Sequence, residues 1–331
     1  MDRHRARGRR ARPSRRKPLL STAVASAVLV GATAAGTVYV KAQAHDRPAA
    51  VSSASSSASA SASASTAAAP SSSPAGNEEA SVEPVAEPSA DRDALLAKAL
   101  ESVTVAAGVK TSVAVLDVGS GESAVHGDAA FDTASIVKVD VLAALLLQAQ
   151  DADRHLTAQE KTYATAMIEN SDNVSTTALW ASIGRAEGLD SANERFGLTS
   201  TRGGDGELWG LTQTTASDQL TLLRQVFGDD SELSAASRAY VQELMGKIAT
   251  GQRWGVSAAA DGSRWALKNG WLARSTTGLW DINSIGRISA DGRVYLVATL
   301  SNGNSTQAKG ISLVEAVSKA AVSAFRDAAE S

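Results

Sequence analysis

Ser135 and Lys138 stand three residues apart in the stretch Ser135-Ile136-Val137-Lys138. On a helix, positions i and i+3 share a face, so the Lys138 amine can reach the Ser135 hydroxyl. A serine hydroxyl is a poor nucleophile until a base takes its proton, and a lysine kept neutral by burial or by a second cation can be that base. Near the N-terminus of its helix, Ser135 would also offer a backbone N–H and the positive end of the helix dipole to a reacting carbonyl. Taken alone, S-x-x-K is a short pattern that chance produces. Two more short motifs follow it. Ser171-Asp172-Asn173 by itself reads as a polar turn or a helix N-cap. Lys268-Asn269-Gly270 lies inside an apolar strand, where a lysine is odd unless its ammonium faces a cleft, and where Gly270 would let a ligand approach the backbone closely.

Composition removes most competing chemistries. The 331 residues contain no cysteine, which excludes disulfides, thiolate metal sites and a cysteine nucleophile. The four histidines, His4, His45, His126 and His155, are too few and too scattered for a His-rich metal centre,. No metal or other cofactor is expected. His126 and His155 lack a serine–carboxylate setting and read as satisfied structural histidines. No G-x-S-x-G elbow is present, which argues against an α/β-hydrolase. Gly203 to Gly206 lack the strand-then-helix context of a phosphate loop and read as a turn.

Together, S-x-x-K, S-D-N and a near K-T-G, in that order on helix, loop and strand, resemble the penicillin-recognising serine hydrolases, most closely the class A β-lactamase group. The resemblance spans roughly Asp91 to Ser331. It implies that Ser135 is acylated, with Lys138 in the proton relay, and that Ser171 passes the proton to the leaving nitrogen. It further implies that Asn173 hydrogen-bonds the substrate's side-chain amide and that Lys268 attracts the substrate carboxylate and tunes Ser171. The oxyanion hole would be the backbone N–H groups of Ser135 and Trp271. Three departures stand out. Asn269 replaces the usual hydroxyl residue. Only 36 residues separate Ser135 from Ser171, which implies a reduced helical subdomain. The loop Gly203-Gly204-Asp205-Gly206-Glu207-Leu208-Trp209-Gly210 offers Glu207 as the base for deacylation, yet Gly210 stands where the family has Asn; a solvated loop glutamate is an equal reading. Trp265, Trp271 and Trp280 read as sheet or core packing, with Trp271 also a candidate cleft wall. Arg274 and Arg287 are both candidates for a carboxylate contact.

Elements that would position these residues follow from periodicity. Asp91–Ser102 is an amphipathic helix, and Thr111–Val118 alternates as a strand before the Gly119-Ser120-Gly121 turn. Ser135–Gln150 is a helix apolar on every side and therefore buried. Helices are expected over Thr162–Ile168, Thr176–Ile183, Ser217–Val226 and Ala235–Ile248. Strands are expected over Trp265–Leu272, Ile282–Ser289 and Val294–Ser301, before a last helix with Leu313, Val314, Val317, Ala321, Ala324 and Phe325 on one stripe. This order is α+β: an antiparallel sheet flanked by N- and C-terminal helices, with a helical subdomain.

The net charge of −3 is the sum of two unlike pieces. Residues 1–48 carry eleven Arg and Lys against two Asp, and the remainder holds 21 basic and 33 acidic residues. An acidic body argues against nucleic-acid binding. Within residues 1–45, a basic stretch runs into the uncharged Leu19–Val40, a length of 22 residues that fits an export signal or a single membrane anchor,. Ala42-Gln43-Ala44 resembles a cleavage site, and cleaved signal and uncleaved anchor both stay open. Either way the positive-inside rule sends the body outside the cytoplasm. Residues 46–90 are a linker: 51–75 alone hold twelve Ser and nine Ala, too little apolar bulk to fold. Residues 91–331 form the catalytic body. The expected function is an exported serine hydrolase opening β-lactam rings through acyl-Ser135. The alternatives are a penicillin-binding DD-peptidase-like enzyme on D-Ala-D-Ala peptides, whose small substrate would be a peptidoglycan peptide, and a catalytically weak wall-binding or sensor module.

Overall fold

The computed structural model describes residues 91–327. The proposed signal or anchor and the Ser/Ala-rich linker lie outside the described residues. Among those described, no helix is long and apolar enough to cross a membrane.

The chain opens with α1 (Arg92–Leu100), capped by the Asp91 carboxylate accepting from the Ala94 N–H. β1 (Lys110–Asp117) and β2 (Ser123–His126) form a hairpin, and the two-residue β3 (Phe131–Asp132) leads into a 3-10 turn at Ala134–Ile136. The helices α2 (Val137–Asp151), α3 (Ala158–Glu169), α4 (Asn173–Ser182) and α5 (Arg185–Phe196) follow. After a 3-10 turn at Trp209–Leu211 come β4 (Gln213–Thr214), α6 (Ala216–Phe227) and α7 (Ala235–Met245). The antiparallel strands β5 (Trp265–Ala273), β6 (Trp280–Ala290) and β7 (Arg293–Asn304) precede α8 (Gln307–Asp327).

The main sheet has the order β2-β1-β7-β6-β5, so the last three strands and the first hairpin close on each other through β1 and β7. Strand alternation assigns its two faces. Val113, Val115, Tyr295, Val297 and Ile288 face α1 and α8, packing on Leu96, Val317, Ala321 and Phe325. Ala114, Leu116, Leu296, Ala298, Leu300 and Ile285 face the larger cluster built by α2 and α6. Burial on both faces explains why β7 reads as an almost unbroken apolar run. Helices α3, α4, α5 and α7 gather round α2.

The α+β architecture and the order of its long elements agree with the sequence reading. The differences are local. Ser135 is not in the first turn of the α-helix but in the 3-10 turn before it. α3 starts earlier than its apolar residues do, because Thr157 and Glu160 form a reciprocal capping box,. α5 was not expected: it is mostly polar, and only Leu189, Ala192, Asn193 and Phe196 form its buried stripe. Its Gly188 is forced by crowding, since a Cβ there would stand 1.7 Å from the Ile183 carbonyl oxygen. β2 was also unforeseen, being only four residues long.

α2 carries the site. Twelve of its fifteen residues are buried, and they include two charged types, Lys138 and Asp140. Asp140 accepts from the Gln219 amide at 3.2 Å, and burial pushes its carboxyl up to about 7. Lysine and aspartate are almost never fully buried without a specific partner.

Candidate active site

Ser135 is presented by a strained turn held from three sides. Ala134 has φ +48°, a left-handed conformation that costs a non-glycine residue about 1–3 kcal/mol and persists only where its surroundings enforce it. Asn283 on β6 supplies part of that enforcement, its Nδ2 donating to the carbonyls of Asp132 and Thr133 at 2.9 and 3.0 Å. The Thr133 N–H donates to the Thr212 carbonyl at 2.8 Å. The third side is Gly270: a Cβ there would lie 2.7 Å from the Thr133 carbonyl oxygen, 2.8 Å from the Ser135 nitrogen and 2.9 Å from the Ile136 nitrogen. Ser135 stays partly exposed while Thr133, Ala134 and Ile136 are buried.

Lys138 lies one helical turn below. Its Nζ is 2.8 Å from Ser135 Oγ, 2.8 and 3.0 Å from the carbonyl and hydroxyl oxygens of Ser171, and 2.8 Å from Asn173 Oδ1. Burial pulls its pKa down to about 7, against a smaller upward pull from the nearby Asp172 carboxylate. Near neutral pH a substantial fraction of Lys138 is therefore an uncharged amine able to accept the Ser135 proton. Ser171 is itself strained, at φ +57°, and that conformation aims both its oxygens at the amine. Asp172 follows as the N-cap of α4, accepting from the Ser175 N–H at 2.7 Å, and this sets Asn173 at the helix start.

Lys268 approaches Ser171 from β5. Its Nζ donates to Ser171 Oγ at 3.1 Å and to the Asn269 carbonyl at 3.0 Å. It is fully buried, and burial first and the Lys138 charge second push its pKa well below the usual lysine range. Neither lysine has an acidic ion-pair partner among the described residues. β5 is the edge strand of the sheet, so alternate backbone N–H and C=O groups beside Ser135 have no strand partner and can bind an extended ligand.

The structure thus brings Ser135, Lys138, Ser171, Asn173, Lys268 and Gly270 together. Three expectations are corrected. Gly270 admits the serine turn, not a ligand. Asn269 is turned away from the cleft, because strand alternation points it opposite to Lys268 and Gly270. Its Nδ2 donates to the carbonyls of Gln252 and Trp254 at 2.7 and 3.0 Å, and its Oδ1 accepts from Ser284 Oγ at 2.6 Å. Its part is to pin the 252–254 segment behind the strand. Replacing Asn269 with Ala strands two half-buried carbonyls and the buried Ser284 hydroxyl, and urea unfolding is expected to show a loss of about 2–4 kcal/mol; an unchanged midpoint would refute this role. Glu207 also faces away. Its carboxylate is half-exposed and pairs with Arg185 Nε at 2.7 Å.

Other candidates resolve simply. Trp271 is half-buried and tilts against Trp254 with ring centroids 6.0 Å apart. His126 and His155 are exposed, not core histidines. Arg274 pairs with Asp132, just ahead of the serine turn, whereas Arg287 sits in register with Ala266 and Leu296 within the sheet. Sequence reasoning missed Asn283, the Asp132–Arg274 pair and Trp209, whose indole lies over Lys138 Nζ at 4.9 Å. Asp140, a second charged residue in the same buried helix, also passed unread.

A family model described as "Beta-lactamase enzyme family" matches residues 95–163 and 153–325. Among solved structures, PBP-A aligns with a TM-score of 0.61 at 21% identity over 71% of this chain and 96% of its own. A mutant of PBP-A is described as an acyl-enzyme complex with penicillin G. The extended-spectrum β-lactamase TLA-1 aligns with a TM-score of 0.61 at 16% identity over 71% of this chain and 98% of its own. A β-lactamase from Xanthomonas campestris pv. campestris gives 0.56 at 21% identity, over 71% and 97%. At such identities the likeness is one of fold, the β-lactamase/transpeptidase arrangement of sheet and helices. A comparison with curated protein sequences finds no match.

Proposed function

Since the chain belongs to the beta-lactamase enzyme family, we propose that it is a serine acyl hydrolase that opens β-lactam rings through an acyl-Ser135 intermediate. The observation that carries this reading is the convergence of two buried lysines on one serine pair: Lys138 Nζ lies 2.8 Å from Ser135 Oγ, and both lysines reach Ser171 Oγ. Burying two amines without acidic partners costs stability. A wall-binding or sensor module has no use for that cost, whereas proton transfer at serine requires it.

The chemistry runs through these contacts. Neutral Lys138 takes the Ser135 proton as Oγ bonds to the lactam carbonyl carbon. As the carbon–nitrogen bond breaks, Ser171 Oγ delivers a proton to the leaving nitrogen and is reprotonated from Lys138. The net result moves the serine proton to the nitrogen. Lys268 polarises Ser171 and supplies the charge that a substrate carboxylate lacks elsewhere; binding that carboxylate restores the ammonium form of Lys268. Asn173, exposed beside Lys138, is placed to meet the substrate's side-chain amide.

The pairing of Glu207 with Arg185 favours slow release of the acyl group and, with it, the DD-peptidase-like alternative for D-Ala-D-Ala peptides. The basic head and the apolar run of residues 19–40 support action outside the cytoplasm, where both substrate classes are met. Intact-protein mass spectrometry with benzylpenicillin is the test. Ring opening expels no fragment, so the adduct should weigh one whole penicillin and vanish in Ser135→Ala. A folded protein showing neither adduct nor penicillin hydrolysis would refute the proposal. Release of D-alanine from a model peptide would select the peptidase alternative.

A further inference from the structure

We propose that Trp209 is the water gate of this site: its indole closes the remaining open side of the Lys138 amine and sets the lifetime of acyl-Ser135. This rests on the acyl-enzyme reading above and asks what happens after acylation. Deacylation needs a water whose oxygen bonds to the acyl carbon as the bond to Ser135 Oγ breaks. One water proton must leave, and it returns to Ser135 Oγ. The group beside Ser135 able to accept and return that proton is Lys138.

Lys138 is enclosed on all sides but the one the indole occupies. Four oxygens, from Ser135, Ser171 twice and Asn173, lie within 3.0 Å of its Nζ. An ammonium carries three hydrogens and a neutral amine two and a lone pair. Once Ser135 is acylated its hydroxyl hydrogen no longer fills that lone pair, so the site a water must reach is the amine side that the indole covers. The indole face covers it from another side at 4.9 Å.

The indole is fastened in that place. Its Nε1 donates to Thr177 Oγ1 on α4 at 3.1 Å. Its loop is tied to the serine turn through the Thr133–Thr212 hydrogen bond at 2.8 Å, and a Cβ on neighbouring Gly210 would lie 3.9 Å from Ala134 Cα. Trp180 Nε1 holds the other end of the loop by donating to the Gly206 carbonyl at 2.7 Å. Two residues before Trp209, the half-exposed Glu207 pairs with Arg185 at 2.7 Å. The loop therefore presents an aromatic face to Lys138 and sends its carboxylate to solvent.

The full chain is loaded with benzylpenicillin, freed of excess drug and followed by intact-mass spectrometry. Trp209→Ala is expected to shorten the adduct half-life by about tenfold or more, releasing one penicilloate per protein, because water gains access to a general base. Its acylation rate should change far less. Trp209→Phe, which keeps an aromatic face, should restore most of the wild-type lifetime. Should Trp209→Ala fail to fold, Thr177→Val releases the indole without removing it and should also shorten the lifetime. A wild-type lifetime in a folded Trp209→Ala or, in its stead, in Thr177→Val would overturn the gate. So would equal shortening in Trp209→Phe, or rapid penicillin turnover by the wild-type chain; each of these leaves Ser135 acylation standing. No adduct and no turnover in any variant would refute the acyl-enzyme reading and the gate with it.

Discussion

Lys138→Met is expected to slow acylation of Ser135 by β-lactams by a factor of about 10²–10⁴, the usual share of a positioned general base. Methionine keeps the length and the apolar stem and removes the amine. The wild-type rate should depend on pH with a defined sign. The reactive form is the neutral amine, and burial brings its pKa down to about 7. Acylation should therefore rise with pH through about 7 and level off above it, and a profile that falls over this range would contradict the assignment. Asp172 supplies an internal control. Its carboxylate raises the Lys138 pKa, so Asp172→Asn, which retains a capping side chain, should move the midpoint to lower pH. The same lysine ties folding to pH. Its folded pKa lies below its unfolded value, so the unfolded chain binds more protons between about pH 7 and the ordinary lysine range. The Lys138 contribution to stability accordingly rises with pH across that window and is flat below it.

How far the site could be read from the sequence depended on how local each contact is. Ser135 and Lys138 meet across one helical turn, and that spacing is visible in four letters. The Lys268-Asn269-Gly270 triplet pointed to a lysine that reaches Ser171, but a three-letter motif conceals alternation: in a strand the middle residue points the other way, and Asn269 does. The long-range contacts left no local trace. Asn283 reaches the Asp132 carbonyl across 151 positions, and Trp209 reaches Lys138 from a loop whose acidic residue, Glu207, looked more relevant to catalysis. Among the elements, strands with two buried faces and strongly amphipathic helices were legible from apolar period. α5 was not, because its buried stripe is thin and its charges and Gly188 mimic a loop. The 3-10 turn that carries Ser135 was not either, because tertiary contacts from Asn283, Thr212 and Gly270 impose its left-handed Ala134.

The last of those contacts yields the other large effect. In Gly270→Ala, the new methyl would stand 2.7–2.9 Å from three backbone atoms of the serine turn. Real Cβ contacts are not that short, and no flexible side chain is available to yield. Either β5 retreats and draws Lys268 off Ser171, or the turn shifts and draws Ser135 off Lys138. Both movements break the hydrogen-bond chain from Ser135 through Lys138 and Ser171 to Lys268, and a displacement near 1 Å at a reacting group costs about 10²-fold. Acylation by benzylpenicillin should fall by about that factor while the protein remains folded, since β5 is an edge strand and keeps its pairing with β6. Time-resolved mass spectrometry beside a thermal melt separates the two quantities. Wild-type acylation in a folded Gly270→Ala would mean that the turn tolerates displacement, and that its close approach to β5 is packing without catalytic consequence.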